Sequence, residues 1–272
     1  MQMKPERIEG SRMRILIRAT NWIGDVVMSL PAVREIRRLN PAAHIAVLAN
    51  SWVCELYEDL DIVDEVLSFQ KGQSSFRLLP HIQGFHRAVL LQNAFEAALL
   101  VRLARIPERI GYSVQGRGLL LSGRAQPRIR RLGRHQVYYY LDLLYQTGLS
   151  ELDYLEREDF QPDISIAPSD RGSRQADALA AQEGLDDGTP LIGLNPGAYY
   201  GSAKRWFIDR YARLADRLLD EFPCRVAIFG SRKEEDIARK IADHMNHAPV
   251  ILSGRTDLSC LVALLSRCAL FI

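Results

Sequence analysis

Short apolar runs alternate along the chain with longer stretches whose apolar positions recur every three to four residues. Arg14 to Arg18 (RILIR) reads as a strand, followed by a loop from Ala19 to Asp25 and a helical stretch to Leu39. Pro31 falls early in that helix, where a proline ring is tolerated. Further strands are predicted at His44 to Ala49, Val63 to Phe69 and Ala88 to Gln92, and helices at Ala94 to Ala104 and His135 to Gly148. Gly148 closes the last of these as a C-cap glycine. Strands alternating with helices at this spacing predict βαβ units on a parallel sheet.

The pattern then breaks. Glu151 to Asp163 carries six acidic residues and one arginine, and Pro162 and Pro168 punctuate the chain. A helix from Ser169 to Gly184 leads into a second alternating series. Its strands are predicted at Leu191 to Asn195, Cys224 to Phe229, Val250 to Leu252 and Ala269 to Ile272, with helices at about 208–221, 234–246 and 257–267. The expected organisation is α/β, with two Rossmann-like domains, 12–165 and 166–272, facing a cleft. The second series stops on the strand CALFI, so the second domain reads as incomplete.

Composition narrows the class. Apolar residues make up 47% and charged residues 25% of 272, as in a folded protein. The formal net charge of +2 argues against a globally basic nucleic-acid binder. No apolar run is long enough to cross a bilayer, and the polar Met1 to Met13 lacks the apolar core of a secretory signal. The cysteines at 54, 224, 260 and 268 form no CxxC pair, which predicts reduced thiols and no structural zinc.

Three constellations could carry chemistry. Thr20-Asn21-Trp22-Ile23-Gly24-Asp25 lies between the first strand and the first helix, where a Rossmann fold makes ligand contacts. Asp25 there reads either as a helix N-cap or as a general base for a hydroxyl nucleophile. Asn195 to Trp206 (NPGAYYGSAKRW) follows the first strand of the second series. Its glycines, hydroxyl and adjacent Lys204 and Arg205 suit a diphosphate, or else form a solvated loop. Residues 102 to 134 hold nine arginines against one acid, Glu108. Such a cluster suits an anionic partner, with a solvated loop as the alternative. Asp59-Leu60-Asp61 has the DxD form but precedes a strand, and reads as turn chemistry. The six histidines show no metal spacing.

Taken together, RILIRATNWIGDVVMSLPAVREIRRLNP, LLQNAFEAALLVRLARIPERIGY and NPGAYYGSAKRW resemble the ADP-heptose–lipopolysaccharide heptosyltransferases, type II members in particular. The likeness runs through essentially the whole chain from about Met13. It implies the GT-B fold and an inverting transfer of heptose from ADP-heptose to the anionic inner core of lipopolysaccharide. It implies no cofactor or metal, no nucleic-acid partner, and a cytoplasmic protein in peripheral contact with the inner membrane. By resemblance Asp25 would be the base and Lys204 would hold the diphosphate. Trp22, Gly24, Asn93, Arg124 and Arg128 would bind on the acceptor side. Asn195, Gly197, Tyr200, Ser202, Gly230 and Ser231 would bind on the donor side. Members of the family carry an N-D-S-G-x-x-H loop after the strand matching CALFI, whereas this sequence ends at Ile272. The expectation is therefore a C-terminally truncated member. The alternatives are an inactive binding module of the same fold, or a GT-B transferase using another nucleotide sugar.

Overall fold

A computed structural model describes residues 12–70, 74–157, 159–198 and 202–272, apart from the side chains of Arg130 and Ser202. The chain divides into two compact units, one ending at Ser165 and the other beginning at Ile166.

The first unit contains β1 (Arg14–Arg18), α1 (Ile23–Leu39), β2 (His44–Asn50), α2 (Ser51–Glu58), β3 (Glu65–Phe69) and α3 (Leu79–Ile82). It continues with β4 (Arg87–Leu90), α4 (Phe95–Leu103), β5 (Glu108–Tyr112), β6 (Gly123–Ala125), α5 (Ile129–Leu132) and α6 (Val137–Gln146). The strands form one parallel sheet in the order β3-β2-β1-β4-β5-β6. This is the doubly wound order, and its direction reverses between β1 and β4. Ile15, Leu16 and Ile17 are all fully buried, as a central strand covered on both faces requires. Leu16, Leu48, Ala88 and Leu90 pack beneath Ala98, Leu100 and Val101 of α4 on one face. Helix α1 turns Val26, Leu30, Val33 and Ile36 inward, an apolar stripe at helical spacing.

The second unit contains α7 (Asp170–Glu183), β7 (Leu191–Leu194), α8 (Ile208–Glu221), β8 (Arg225–Ile228), α9 (Glu235–Asp243), β9 (Val250–Ile251), α10 (Leu258–Leu265) and β10 (Cys268–Phe271). Its parallel sheet runs β10-β7-β8-β9. Residues of β8 and its end alternate between the two faces. Val226 and Ile228 meet Tyr211, Ala215, Ala238 and Ile241 of α8 and α9, whereas Ala227 and Phe229 meet Ala176, Cys260 and Leu264 of α7 and α10. Gly172 is required where α7 meets α10, because a Cβ there would lie 2.3 Å from the Ser259 carbonyl oxygen. Helix α7 starts on the Ser169 side chain, which accepts from the Gly172 amide, and ends on Gly184 in the left-handed region.

Several sequence expectations change. Pro31 is not in the first turn of α1: the helix begins at Ile23, so the proline lies more than two turns in, buried against the core. Helix α2 was not expected, since it springs directly from the end of β2 without a turn signal. The arginine-rich stretch is no open loop either. It holds β5, β6, α5 and a 3₁₀ turn at Arg117–Leu120.

Candidate active site

The loops that follow the central strands of each unit carry the predicted chemistry. In the first unit, Trp22 is the extended residue before α1, and its carbonyl accepts from the Val26 amide at 2.8 Å. Asp25 is therefore in the first turn rather than at the N-cap, and its carboxylate caps nothing among the described residues. Burial holds that carboxyl above the usual aspartate range. The buried Tyr140 of α6 lies close enough to feel its charge. An aspartate raised by desolvation in the first turn of the helix that follows a central strand is suited to take a proton. Gly24 leaves open space where a Cβ would stand, so nothing crowds the approach.

Asn93 follows β4, and both ends of its amide are engaged. Its Nδ2 donates to the Tyr139 hydroxyl at 2.7 Å and its Oδ1 accepts from Arg117 at 2.9 Å. Arg117 also donates to the carbonyls of Tyr112 and Gln92. This arginine has no exposed surface, so it braces the ends of β4 and β5 instead of meeting an outside anion. Arg128, expected on the acceptor side, is also engaged within the protein. Its guanidinium is held by fully buried Asp142 and by Asp153, and these two carboxylates already satisfy its charge. Arg109 donates to the carbonyls of Leu120, Ile106 and Pro107, and Arg134 to that of Leu155. Arg124, on the edge strand β6, remains exposed.

A cavity of about 210 Å³ opens beside the loop after β1, at the point where the strand order reverses. Arg18, Gln92 and Glu96 line it, and the sequence reading passed over all three. Only the strand-end positions of Arg18 and Gln92 signalled them.

In the second unit, Asn195, Gly197, Gly230 and Ser231 gather at the carboxyl ends of β7 and β8. The Phe229 amide donates to Leu194, and the Gly254 amide to Gly230, which aligns these strand ends. Ser231 donates from its hydroxyl to Glu234 at 2.7 Å, and its amide donates to the same carboxylate at 2.8 Å. Gly197 packs on this carboxylate so closely that a Cβ would lie 2.0 Å from Glu234 Oε1. Glu234 thus joins the two loops. Its signal was the S-x-x-E capping spacing from Ser231. Lys204 is exposed, in a 3₁₀ turn at Ser202–Lys204, and Arg205 donates to the Ala198 carbonyl at 3.2 Å. Tyr200 and the side chain of Ser202 lie outside the described residues. Among the described residues, no three His, Cys, Asp or Glu side chains gather as a metal site, and no helix is long and apolar enough to cross a membrane.

Comparison with known proteins agrees with this architecture. Lipooligosaccharide heptosyltransferase 2 of Haemophilus ducreyi is 29% identical over 94% of this chain and 75% of its own length. Lipopolysaccharide heptosyltransferase 2 of Salmonella typhimurium is 30% identical over 94% of this chain and 75% of its own length. The solved structure of the Escherichia coli ADP-heptose lipopolysaccharide heptosyltransferase II superposes with a TM-score of 0.81 at 28% identity, over 95% of this chain and 78% of that one. The expected GT-B fold class stands on that likeness. The sequence profile of glycosyltransferase family 9 (heptosyltransferase) matches residues 81–272, and the chain belongs to that family.

Proposed function

We propose that this protein transfers heptose from ADP-heptose to the inner core of lipopolysaccharide, with inversion at the anomeric carbon. The single observation that carries the reading is Asp25: a part-buried carboxylate without a hydrogen-bond partner among the described residues, with raised proton affinity, in the first turn of the helix that follows β1 in a family 9 chain. Asp25 takes the proton from an acceptor hydroxyl while that oxygen bonds to the anomeric carbon. The bond from that carbon to the diphosphate breaks in the same step, and its electron pair leaves with ADP. Lys204 meets the charge that develops on the leaving diphosphate. Backbone amides and side chains around Asn195, Gly197, Gly230 and Ser231 hold the nucleotide on the second unit. Trp22, Gly24 and exposed Arg124 contact the acceptor on the first unit, and Asn93, held by Arg117, shapes that side.

The protein works at the cytoplasmic face of the inner membrane in this account, drawn there by its glycolipid acceptor. The test is donor choice. The protein is incubated with ADP-heptose or a UDP-sugar and a heptose-deficient lipopolysaccharide core, and the product is weighed by mass spectrometry. One added heptose, with inhibition by ADP and not by UDP, is expected. Transfer from the UDP-sugar alone would replace this reading with another GT-B activity, and ADP binding without product would leave a binding module.

A further inference from the structure

Helix α4 is apolar on both sides. Its inner side, with Ala98, Leu100 and Val101, covers the sheet. On the opposite side Phe95, Leu99 and Leu103 recur at four-residue spacing; Phe95 is 47% and Leu103 52% exposed. A helix with two apolar faces belongs between two layers, and here the outer face has no cover among the described residues. The 3₁₀ turn at Arg117–Leu120 packs beside α4. Leu120 lies against the core there, which leaves Leu119 87% exposed. Neighbouring exposed apolar side chains of this size mark a contact surface.

The end of α4 adds charge. The helix closes in a Schellman motif: the Arg105 amide donates to the Arg102 carbonyl at 3.1 Å, and the Ile106 amide to the Val101 carbonyl at 3.2 Å. This motif calls for a left-handed residue, glycine by preference, yet Arg105 holds that place with φ at 60°. A long side chain kept at a strained position points to a use for it. Arg102 and Arg105 are exposed, and neither pairs with an acid among the described residues. Burial, and after it the charge of Arg102, holds the Arg109 guanidinium below its usual range, so these two cations stand close together. Glu108, the one acid of the stretch, is engaged by Arg87.

Exposed leucines beside unpaired arginines complement a surface that is apolar within and anionic outside, as a bilayer with acidic headgroups is. A second copy of this chain fits less well, because a twofold interface would set the same arginines against each other. We propose that the outer face of α4 and the turn beside it dock the protein on a bilayer containing anionic phospholipids, with Leu103 and Leu119 entering between the headgroups and Arg102 and Arg105 meeting their phosphates. The inference rests on the placement at a membrane given above, and it supplies that placement with a surface separate from the glycolipid contacts.

The experiment is co-sedimentation of the full chain with two kinds of vesicle, one of phosphatidylcholine alone and one of equal parts phosphatidylcholine and phosphatidylglycerol. Neither holds lipopolysaccharide. The wild type is expected to bind the anionic vesicles at least about tenfold more tightly, and to lose that preference in high salt. Leu119→Ser is expected to weaken this binding about tenfold, the scale of withdrawing one leucine from water. Arg105→Gly is expected to weaken it about fivefold while raising the Tm by a few degrees, since glycine relieves the left-handed residue. A variant that is more stable yet binds less cannot owe its loss to unfolding. Equal binding of the two vesicles by the wild type, or wild-type affinity in either variant, overturns the proposal. A dimer in sedimentation velocity that Leu119→Ser dissociates would give the surface to a second copy and also overturn it. Heptosyl transfer to a de-acylated, water-soluble core is assayed on the same samples. Product without vesicle binding removes the docking surface and keeps the transferase. The predicted vesicle binding without product keeps the surface and removes the transferase.

Discussion

Asp25 combines a stability cost with a proposed chemical use. Burial disfavours its charged form, so its carboxyl titrates above the ordinary aspartate value in the folded state. Stability from this group is present below the unfolded pKa and is lost as pH rises towards the folded one. Asp25→Asn is therefore expected to raise the Tm at pH 7 while stopping transfer, a trade typical of active-site carboxylates. Thermal unfolding checks this, and a lowered Tm would mean that the carboxylate supports the fold. Lys204 belongs to the same scale. Lys204→Ala is expected to weaken ADP binding by about tenfold or more, as loss of a charged phosphate contact does, and titration calorimetry with ADP reads it directly. Unchanged affinity would remove Lys204 from the diphosphate.

At the scale of elements, the arginine-rich stretch is the instructive case. Arg117 ties the end of β4 to the end of β5 through Tyr112, Gln92 and Asn93. Arg117→Met would leave these acceptors buried and unpaired, at a cost of about 3 kcal/mol or more, which chemical denaturation measures. A loss near zero would mean that the brace is dispensable. Charge counting marked this stretch but not its structure. Arg87 of β4 pairs with Glu108 of β5 across adjacent strands, so the one acid of the stretch is a strand partner. Guanidinium donors aimed at main-chain carbonyls leave no periodicity in a sequence. Elements with apolar patterning were legible: β1, β2, β7 and β8 fall within a residue or two of expectation, and Gly148 and Gly184 close α6 and α7 as helix-ending glycines do. The start of α1 was read about three residues late, and this alone made Asp25 look like a cap. The Gly197 loop adds a prediction for its own element. Gly197→Ala forces a methyl into Glu234 and is expected to lower ADP affinity by shifting the loop. Titration with ADP checks it, and a normal value would mean that the carboxylate moves aside freely.

At the scale of the molecule, two doubly wound units divide the work: the first carries the proposed base and the second the proposed diphosphate site. Ligand linkage makes this division visible, since a ligand that binds only the folded state raises Tm in proportion to its occupancy. ADP is expected to raise the Tm of wild type and Asp25→Asn equally and that of Lys204→Ala much less. Family membership rests on residues 81–272, whereas Asp25 lies outside that match, so its role needs its own test. The most direct one is the rate of heptosyl transfer from ADP-heptose to a heptose-deficient core, for wild type and Asp25→Asn, followed across pH. The account predicts a wild-type rate that falls on the acid side with an inflection above the usual aspartate range, and a loss of at least about a hundredfold in Asp25→Asn with ADP affinity intact. A variant that retains the wild-type rate and its acid limb would contradict it.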